Sequence, residues 1–374
     1  MNVLVFFTYG ASLQTWKDSG LIDRELKIYQ EMAEKFNVNY TFVTYGSEKD
    51  YAYSSLVKNL QILPLYSFKK YHKNKVLRLL QSLTIPFMIK KLLPEKSYII
   101  KTNQLYGGWV AILYKIISRN SLIVRTGYDL LTFTIKEKKN VIKISLYYLL
   151  TFLALNISDF YVSTSKVDIK LLKRFFISKK AKILHNPNWV YLSSEYPILK
   201  RQKNFLAVGR LEKQKDFFYL LDAFEDLDIS LDIFGEGSEK SKIIKRIKTK
   251  RHISLKEPIP NKDLIKKYSE YQFYISTSDF EGNSKTLLEA MGAGCVVIVP
   301  NIKNNLELIK HNQTGILYDK HSDDLKKIIN SVRKNKELLK IISRNARDQI
   351  LINNSLSKVV EFEVDIYKRI LEKS

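Results

Sequence analysis

Short apolar runs alternate with longer amphipathic stretches along almost the whole chain. That is the pattern of strands and helices taking turns in an α/β protein. In the first half, runs at 3–7, 40–44, 98–101, 122–125 and 160–163 predict strands, and stretches such as 21–36 and 109–117 predict helices between them. The pattern breaks at His185-Asn186-Pro187-Asn188, and a polar stretch with little periodicity runs on to Asn204, as a linker does. A second series follows, with strands at 205–209, 230–234, 253–255, 273–276 and 296–299 and helices at 217–224, 240–248, 262–268 and 285–291. Leu356, Val359, Val360, Tyr367, Ile370 and Leu371 recur at helical spacing and predict a last helix over 356–371. The predicted fold is α/β, with two Rossmann-like doubly wound domains over 1–190 and 200–355, facing a cleft where ligands favour binding.

Composition narrows the chemistry. The chain has 374 residues, of which 45 % are hydrophobic, enough for two domains with ordinary cores. Cys295 is the single cysteine, which excludes a disulfide scaffold and a Cys-rich metal site, and the five histidines lie far apart. Asp226-Leu227-Asp228 has a metal-type form, but it lies in an acidic turn before a strand, at the wrong end of the sheet for a cleft. No Gly-x-Ser-x-Gly elbow is present to support a serine nucleophile. Met1-Asn2-Val3-Leu4-Val5-Phe6-Phe7 reads as a first strand and not as a signal peptide. The apolar stretch 144–158 is shorter than the roughly 20 residues a spanning helix needs. It reads as a buried helix, with shallow membrane contact as the alternative.

Charge adds a direction. The net charge is +24, and it is uneven: between Tyr51 and Tyr128 thirteen Lys and Arg face one acid, Glu95. Such a field attracts phosphates, nucleic acid or anionic lipid. From Lys69 to Leu93 the bases interleave with Leu, Phe and Tyr, which suits a helix lying on an anionic membrane; a solvated helix packed on the sheet is the plainer alternative. No zinc-finger spacing, RNP-type signature or helix-turn-helix pattern supports nucleic acid. A basic nucleic-acid-binding protein without turnover is therefore the lesser reading.

Two segments carry candidate chemistry. In Ser278-Asp279-Phe280-Glu281-Gly282-Asn283-Ser284-Lys285-Thr286-Leu287-Leu288-Glu289-Ala290-Met291, a strand gives way to a loop and then to a helix that starts near Ser284, a residue suited to N-capping. Free N–H groups at such a start hold phosphate or sugar oxygens, and Gly282 lets a ligand approach the backbone. Glu281 and Glu289 can accept hydrogen bonds from different hydroxyls of one molecule. The second segment, Val208-Gly209-Arg210-Leu211-Glu212-Lys213-Gln214-Lys215, also joins a strand to a helix, so Arg210 and Lys215 can point at one anion.

Glu281-x7-Glu289, followed by Ala290-Met291-x-x-Gly294-x-Val296-Val297, resembles the signature of GT-B glycosyltransferases of family 4. Cys295 stands where Pro is usual. The likeness covers residues 205–345 well and 1–190 more loosely. It implies a metal-independent, retaining transferase that moves sugar from a UDP- or GDP-sugar, needs no cofactor, and serves cell-surface polysaccharide synthesis. The acceptor would be a hydroxyl of a glycan or lipid-linked oligosaccharide. A cytoplasmic enzyme, peripheral on the inner face of the plasma membrane, is the implied setting, with an anionic membrane and no nucleic acid as partners. Arg210, Lys215 and Glu281 would be catalytic. Gly20, Gly209, Gly235, Gly237, Gly282, Asn283, Ser284, Lys285, Thr286 and Glu289 would bind the donor, with Glu289 on the ribose hydroxyls. Thr126 stands where many relatives carry a histidine, which leaves Arg125, Thr126 and Asn103 as acceptor-side candidates; Arg125 paired with Asp129 is the alternative. The helix 356–374 is expected to cross back to the first domain.

Overall fold

The computed structural model describes residues 1–93, 98–127, 129–137, 140–177, 179–191 and 197–372. Glu95, Lys96 and Tyr128 of the basic segment and part of the expected linker lie outside the described residues. By contacts the chain divides into two units, Met1–Asn186 with Val360–Ser374, and Pro187–Val359.

The apolar runs of the first unit form β1 (Asn2–Phe6), β2 (Asn39–Thr44), β3 (Leu60–Pro64), β4 (Ile99–Thr102), β5 (Leu122–Thr126), β6 (Phe160–Ser163) and β7 (Lys182–His185). They make one parallel sheet of order β3-β2-β1-β4-β5-β6-β7. Such strands are covered on both faces by the crossover helices, which is why they read as continuous apolar runs and not as alternation. Two strands of this unit escaped the sequence reading, as did Ile316–Tyr318 in the second. β3 lies at an edge and ends on Pro64, and β7 ends on the polar break at His185.

The second unit repeats the plan with β8 (Gln202–Val208), β9 (Leu231–Phe234), β10 (Ile253–Lys256), β11 (Tyr271–Ile275), β12 (Val296–Pro300) and β13 (Ile316–Tyr318), in order β10-β9-β8-β11-β12-β13, again parallel. Core clusters cover both faces of this sheet. Phe205 of β8 stacks on Phe273 of β11 at 4.6 Å, fixing the central pair. The expected α/β class with two Rossmann-like units is what the chain adopts. In both sheets the order reverses beside the first strand, between β1 and β4 and between β8 and β11. Crevices for ligands open at such switch points, beyond the carboxyl ends of the strands.

Two helices change the expected picture. The apolar stretch near 150 forms the helix Val141–Ile157, but it is not a buried helix. Leu150, Thr151, Ala154 and Leu155 face the core, whereas Val141 is 74 % and Ile142 69 % exposed, and Leu146 and Leu149 are exposed as well. The helix is apolar nearly all round and lies outside the sheet, so the core covers a single stripe of it. The helix Leu356–Leu371 places Glu363 against Lys101 of β4 in a buried ion pair, with both residues under 5 % exposed. Tyr367 donates its hydroxyl proton to the same carboxylate oxygen at 2.6 Å.

Candidate functional site

The second unit's switch point gathers most of the expected chemistry. The loop after β8 carries Gly209 to Asp216 and leads into the helix Phe217–Phe224; the loop after β11 carries Ser276 to Ser284 and leads into the helix Lys285–Gly292. Several bonds stitch these two loops together. The Asp279 N–H donates to the Gln214 carbonyl at 3.0 Å, and the Gln214 amide donates to the Phe280 carbonyl at 2.5 Å. The Thr277 hydroxyl lies 3.0 and 2.9 Å from the carbonyls of Lys215 and Asp216. The result is that Lys215 and Glu281, 66 positions apart in sequence, form an ion pair. Their side chains are 14 % and 11 % exposed, so the pair is largely withdrawn from water.

Arg210 lies on the same loop, exposed, and its side chain makes no hydrogen bond or ion pair among the described residues. Its nearby charge, together with two bonds from Ser238, holds the Glu212 carboxyl below its usual range, with the Ser238 hydroxyl the larger cause. A third loop props up the first. Gly209 N–H donates to the Phe234 carbonyl and Leu211 N–H to that of Glu236. A Cβ on Gly235 would stand 2.1 Å from the Gly209 carbonyl oxygen, so this approach of two backbones requires glycine there. A Cβ on Gly237 would stand 2.5 Å from the Leu211 carbonyl oxygen.

Ser284 occupies the N-cap position of the helix Lys285–Gly292, but its hydroxyl turns to the Thr286 hydroxyl at 3.2 Å and leaves the first-turn N–H groups uncapped by a side chain. Those amides are the donors that suit an anion. Gly282 is buried in this loop. The Asn283 side chain accepts from the Asn188 N–H at 3.0 Å, and Asn188 in turn is held by Asn354. Lys285 lies over the Trp189 ring, 5.6 Å from its centre. Glu289 is 4 % exposed, and its Oε1 accepts from the Asn261 amide at 2.9 Å. Asn261, Gln214, Thr277 and Asn188 are parts of this arrangement that sequence reasoning missed. Each is a common polar residue outside any repeating spacing, and a hydrogen bond across 66 or 95 positions leaves no local signal.

Residues 192–349 match the family model for glycosyl transferases group 1. The second unit thus carries a glycosyl transferases group 1 domain. The chain is similar over part of its length to parts of curated proteins. One is the GtfA subunit of a UDP-N-acetylglucosamine–peptide N-acetylglucosaminyltransferase of Streptococcus agalactiae, 32 % identical over 130 residues, which are 32 % of this chain and 25 % of that protein. Another is N-acetylgalactosamine-N,N'-diacetylbacillosaminyl-diphospho-undecaprenol 4-alpha-N-acetylgalactosaminyltransferase of Campylobacter jejuni, 29 % identical over 174 residues, 43 % of this chain and 47 % of that one. The chain therefore aligns with a quarter to about half of the length of these relatives. Among solved structures, sucrose-phosphate synthase from Thermosynechococcus elongatus superposes with a TM-score of 0.83 over all of both chains at 13 % identity. At that identity the likeness speaks for the fold, GT-B, and for nothing finer.

The acceptor-side candidates of the first unit do not gather in the same way. Thr126 is fully buried in β5, so no ligand reaches it as the chain stands. Arg125 does not pair with Asp129, which is buried and caps the helix Leu130–Lys136 through the Thr132 N–H. Arg125 instead adds its charge to the buried Lys101–Glu363 pair, on the face where Tyr29 also packs. Burial alone would raise the Glu363 carboxyl, but Lys101 and Arg125 outweigh it and hold it low. Burial pulls the Lys101 ammonium below its ordinary value. Asn103 sits half-buried just beyond β4, beside the first unit's switch point. Gly20, expected at a helix start after β1, stands one helix further on. With φ of +68° it ends the short helix Leu13–Asp18, where a left-handed residue suits glycine.

Asp226 forms an exposed pair with Lys326 at the end of the sheet away from these loops. Among the described residues no group of three or more His, Cys, Asp or Glu is placed to hold a metal ion. Burial pushes the Cys295 thiol up to about 12, so it is no nucleophile at neutral pH.

Proposed function

We propose that the chain is a retaining glycosyltransferase of family 4, which takes sugar from a UDP- or GDP-sugar without a metal and gives it to a hydroxyl of a glycan or lipid-linked acceptor. The observation that carries this reading is the joining of Lys215 and Glu281 across the second unit's switch point, with Arg210 on the same loop. The physical demand is clear. The bond from the anomeric carbon to the donor's diphosphate breaks, and negative charge grows on the departing oxygens. Lys215, in a loop with little water, and Arg210 on the same loop are the cations that would stabilise that charge. A bond forms between the acceptor oxygen and the anomeric carbon on the same face, and the departing phosphate takes the acceptor's proton. Glu281 would orient the sugar once the phosphates draw Lys215 away from it. Glu289 would hold the ribose hydroxyls, and the amides from Gly282 to Lys285 would meet sugar and phosphate. Gly209, Gly235 and Gly237 would shape the wall behind the nucleotide.

The first unit would bring the acceptor, from an anionic membrane at the inner face of the plasma membrane, in the making of cell-surface polysaccharide. Its helices Lys75–Ser82 and Ile85–Leu92 expose Val76, Leu77, Leu80 and Phe87 beside Lys73, Lys75, Lys90 and Lys91. The exposed stripe of Val141–Ile157 belongs to the same unit. Apolar side chains among bases suit a bilayer of anionic lipid, where each Lys contributes about 1 kcal/mol. Among the described residues no helix is long and apolar enough to cross a membrane, so the contact would be one of surface.

The test is release of UDP or GDP from a panel of nucleotide sugars in the presence of undecaprenyl-diphosphate-linked sugars and excess EDTA. Turnover with any member, with the anomeric configuration of the donor retained in the product, supports the reading. Absence of turnover together with a steeply salt-dependent affinity for nucleic acid refutes it. Changing Lys69, Lys70 and Lys73 to Glu should abolish sedimentation with anionic vesicles, and persistent binding would remove the membrane from the proposal.

A further inference from the structure

Beyond the groups already placed at the donor site, Lys320 is a largely withdrawn cation that bonds to both of its loops. Lys320 lies just after β13, at the edge of the second sheet, yet its side chain is 15 % exposed because it reaches back toward the centre. Its ammonium donates to an Asp216 carboxylate oxygen, to an Asp279 carboxylate oxygen at 2.6 Å and to the Thr277 carbonyl at 3.1 Å. An ammonium has three protons, and here each has an oxygen. The face of Tyr219 closes the remaining side, 4.9 Å from the ring centre to the nitrogen. Tyr219 stacks on Tyr318, whose hydroxyl donates to the Ser276 carbonyl at 3.1 Å, so the end of β13 is anchored on the same loop.

The identity of the two carboxylates gives this contact its meaning. Asp216 directly follows Lys215, and Asp279 stands two residues before Glu281. Asp216 is also in the left-handed region, with φ of +45°, and caps the helix Phe217–Phe224. We infer that Lys320 is a positioning residue of the donor site, its ammonium tying the loop that carries Lys215 to the loop that carries Glu281. This inference rests on the proposed donor-binding reading. Without the cation, two carboxylates on adjoining loops lose their shared partner. They would then compete with a ligand's phosphates for the cations of those loops, Lys215 among them. The backbone and Thr277 bonds between the loops remain, so the fold persists while the electrostatic setting of Lys215 changes.

The experiment titrates UDP, and separately GDP, into the full chain by calorimetry, with thermal unfolding read on the same samples. Lys320→Met should weaken nucleotide binding about tenfold or more, the scale of losing a charge-assisted contact of 1.4 kcal/mol. Lys320→Arg, which keeps the cation, should stay within about threefold of wild type. Lys326→Met, which removes the exposed pair with Asp226 away from the loops, should bind as wild type does. A residue that stabilised the unit alone would lower the melting temperature in Lys320→Met and leave the affinity of the folded protein unchanged. That result, or equal losses in Lys320→Arg and Lys320→Met, overturns the inference and leaves the donor site standing. Should Lys320→Met not fold, Asp279→Ala removes one of the three contacts at a half-exposed carboxylate and decides the matter: a loss of about two- to threefold supports the tie and none overturns it. Binding of neither nucleotide by the wild type overturns the donor-site reading itself, and this inference with it.

Discussion

Replacing Lys215 with Met separates catalysis from stability at one position. The ammonium is paired with Glu281, and both side chains are about seven-eighths withdrawn from water. As a donor to the leaving diphosphate, Lys215 should contribute what one preorganised transition-state contact does. Its loss then costs about 10²–10³ in kcat, or roughly 2.7–4 kcal/mol. Its second effect is on the fold. Glu281 keeps its charge and loses its partner, and breaking a fully buried pair costs about 3–5 kcal/mol. The residual exposure of both groups brings the expected loss to about 1–3 kcal/mol, since water still reaches the carboxylate. The two effects part in the double variant. Lys215→Met with Glu281→Gln has no orphaned charge, so urea unfolding should recover most of the lost stability while turnover stays at the lower level or falls further. The assay is steady-state release of nucleoside diphosphate at saturating donor, normalised to folded protein. A Lys215→Met kcat within about threefold of wild type, or a double variant that regains activity along with stability, would refute the reasoning.

Four further outcomes are expected. Lys101→Met or Glu363→Gln alone should lower stability by about 3–5 kcal/mol in denaturant unfolding, and the double variant should lose much less, because neither charge is then left alone in the core. The pH dependence follows from the depressed Glu363 carboxyl: its contribution is full above the unfolded glutamate value of about 4.3 and is lost as pH falls through the lower folded value, so wild type and Glu363→Gln should converge in melting temperature in that acid range and not above it. Cys295, raised to about 12 by burial, should resist a maleimide at pH 7 in the native protein and react on unfolding; rapid native labelling would contradict its packing. Glu289→Gln should raise the donor KM with a smaller change in kcat, and an unchanged KM would reduce Glu289 to a partner of Asn261.

Much of this architecture was legible because parallel strands and their helices write long apolar and amphipathic runs. The helices Phe217–Phe224 and Leu356–Leu371 fall where their periodicity places them. Strands with few apolar positions, such as β7, were not legible, nor was the outward stripe of Val141–Ile157, since a helix apolar on every side does not say which side the core will cover. The placement of the residues proposed for the donor was legible for a related reason. Arg210, Lys215 and Glu281 sit on two short strand-to-helix loops and Glu289 in the helix after the second, and a switch point places such loops side by side in any sheet of this order. What joins them was not, because Gln214, Thr277 and Lys320 act across the sheet and their partners depend on three-dimensional neighbours.

Arg125 shows where such reasoning must stop. At a strand end in a basic segment, with an acid four residues on, it had two local readings, an anion site or a pair with Asp129. The pair with Asp129 does not form, and the carboxylate its charge acts on, Glu363, comes from a helix more than two hundred residues later. A buried lysine and a nearby arginine in one sheet need a negative partner, since an unpaired charge in a core costs several kcal/mol. Among the described residues up to Asn186 none pairs with Lys101, and the last helix supplies Glu363. The function of Glu363 is thus to let β4 and β5 carry two cations through the core. A first unit lacking the last helix would expose or neutralise Lys101, and it should unfold as a weaker and less cooperative body than the full chain.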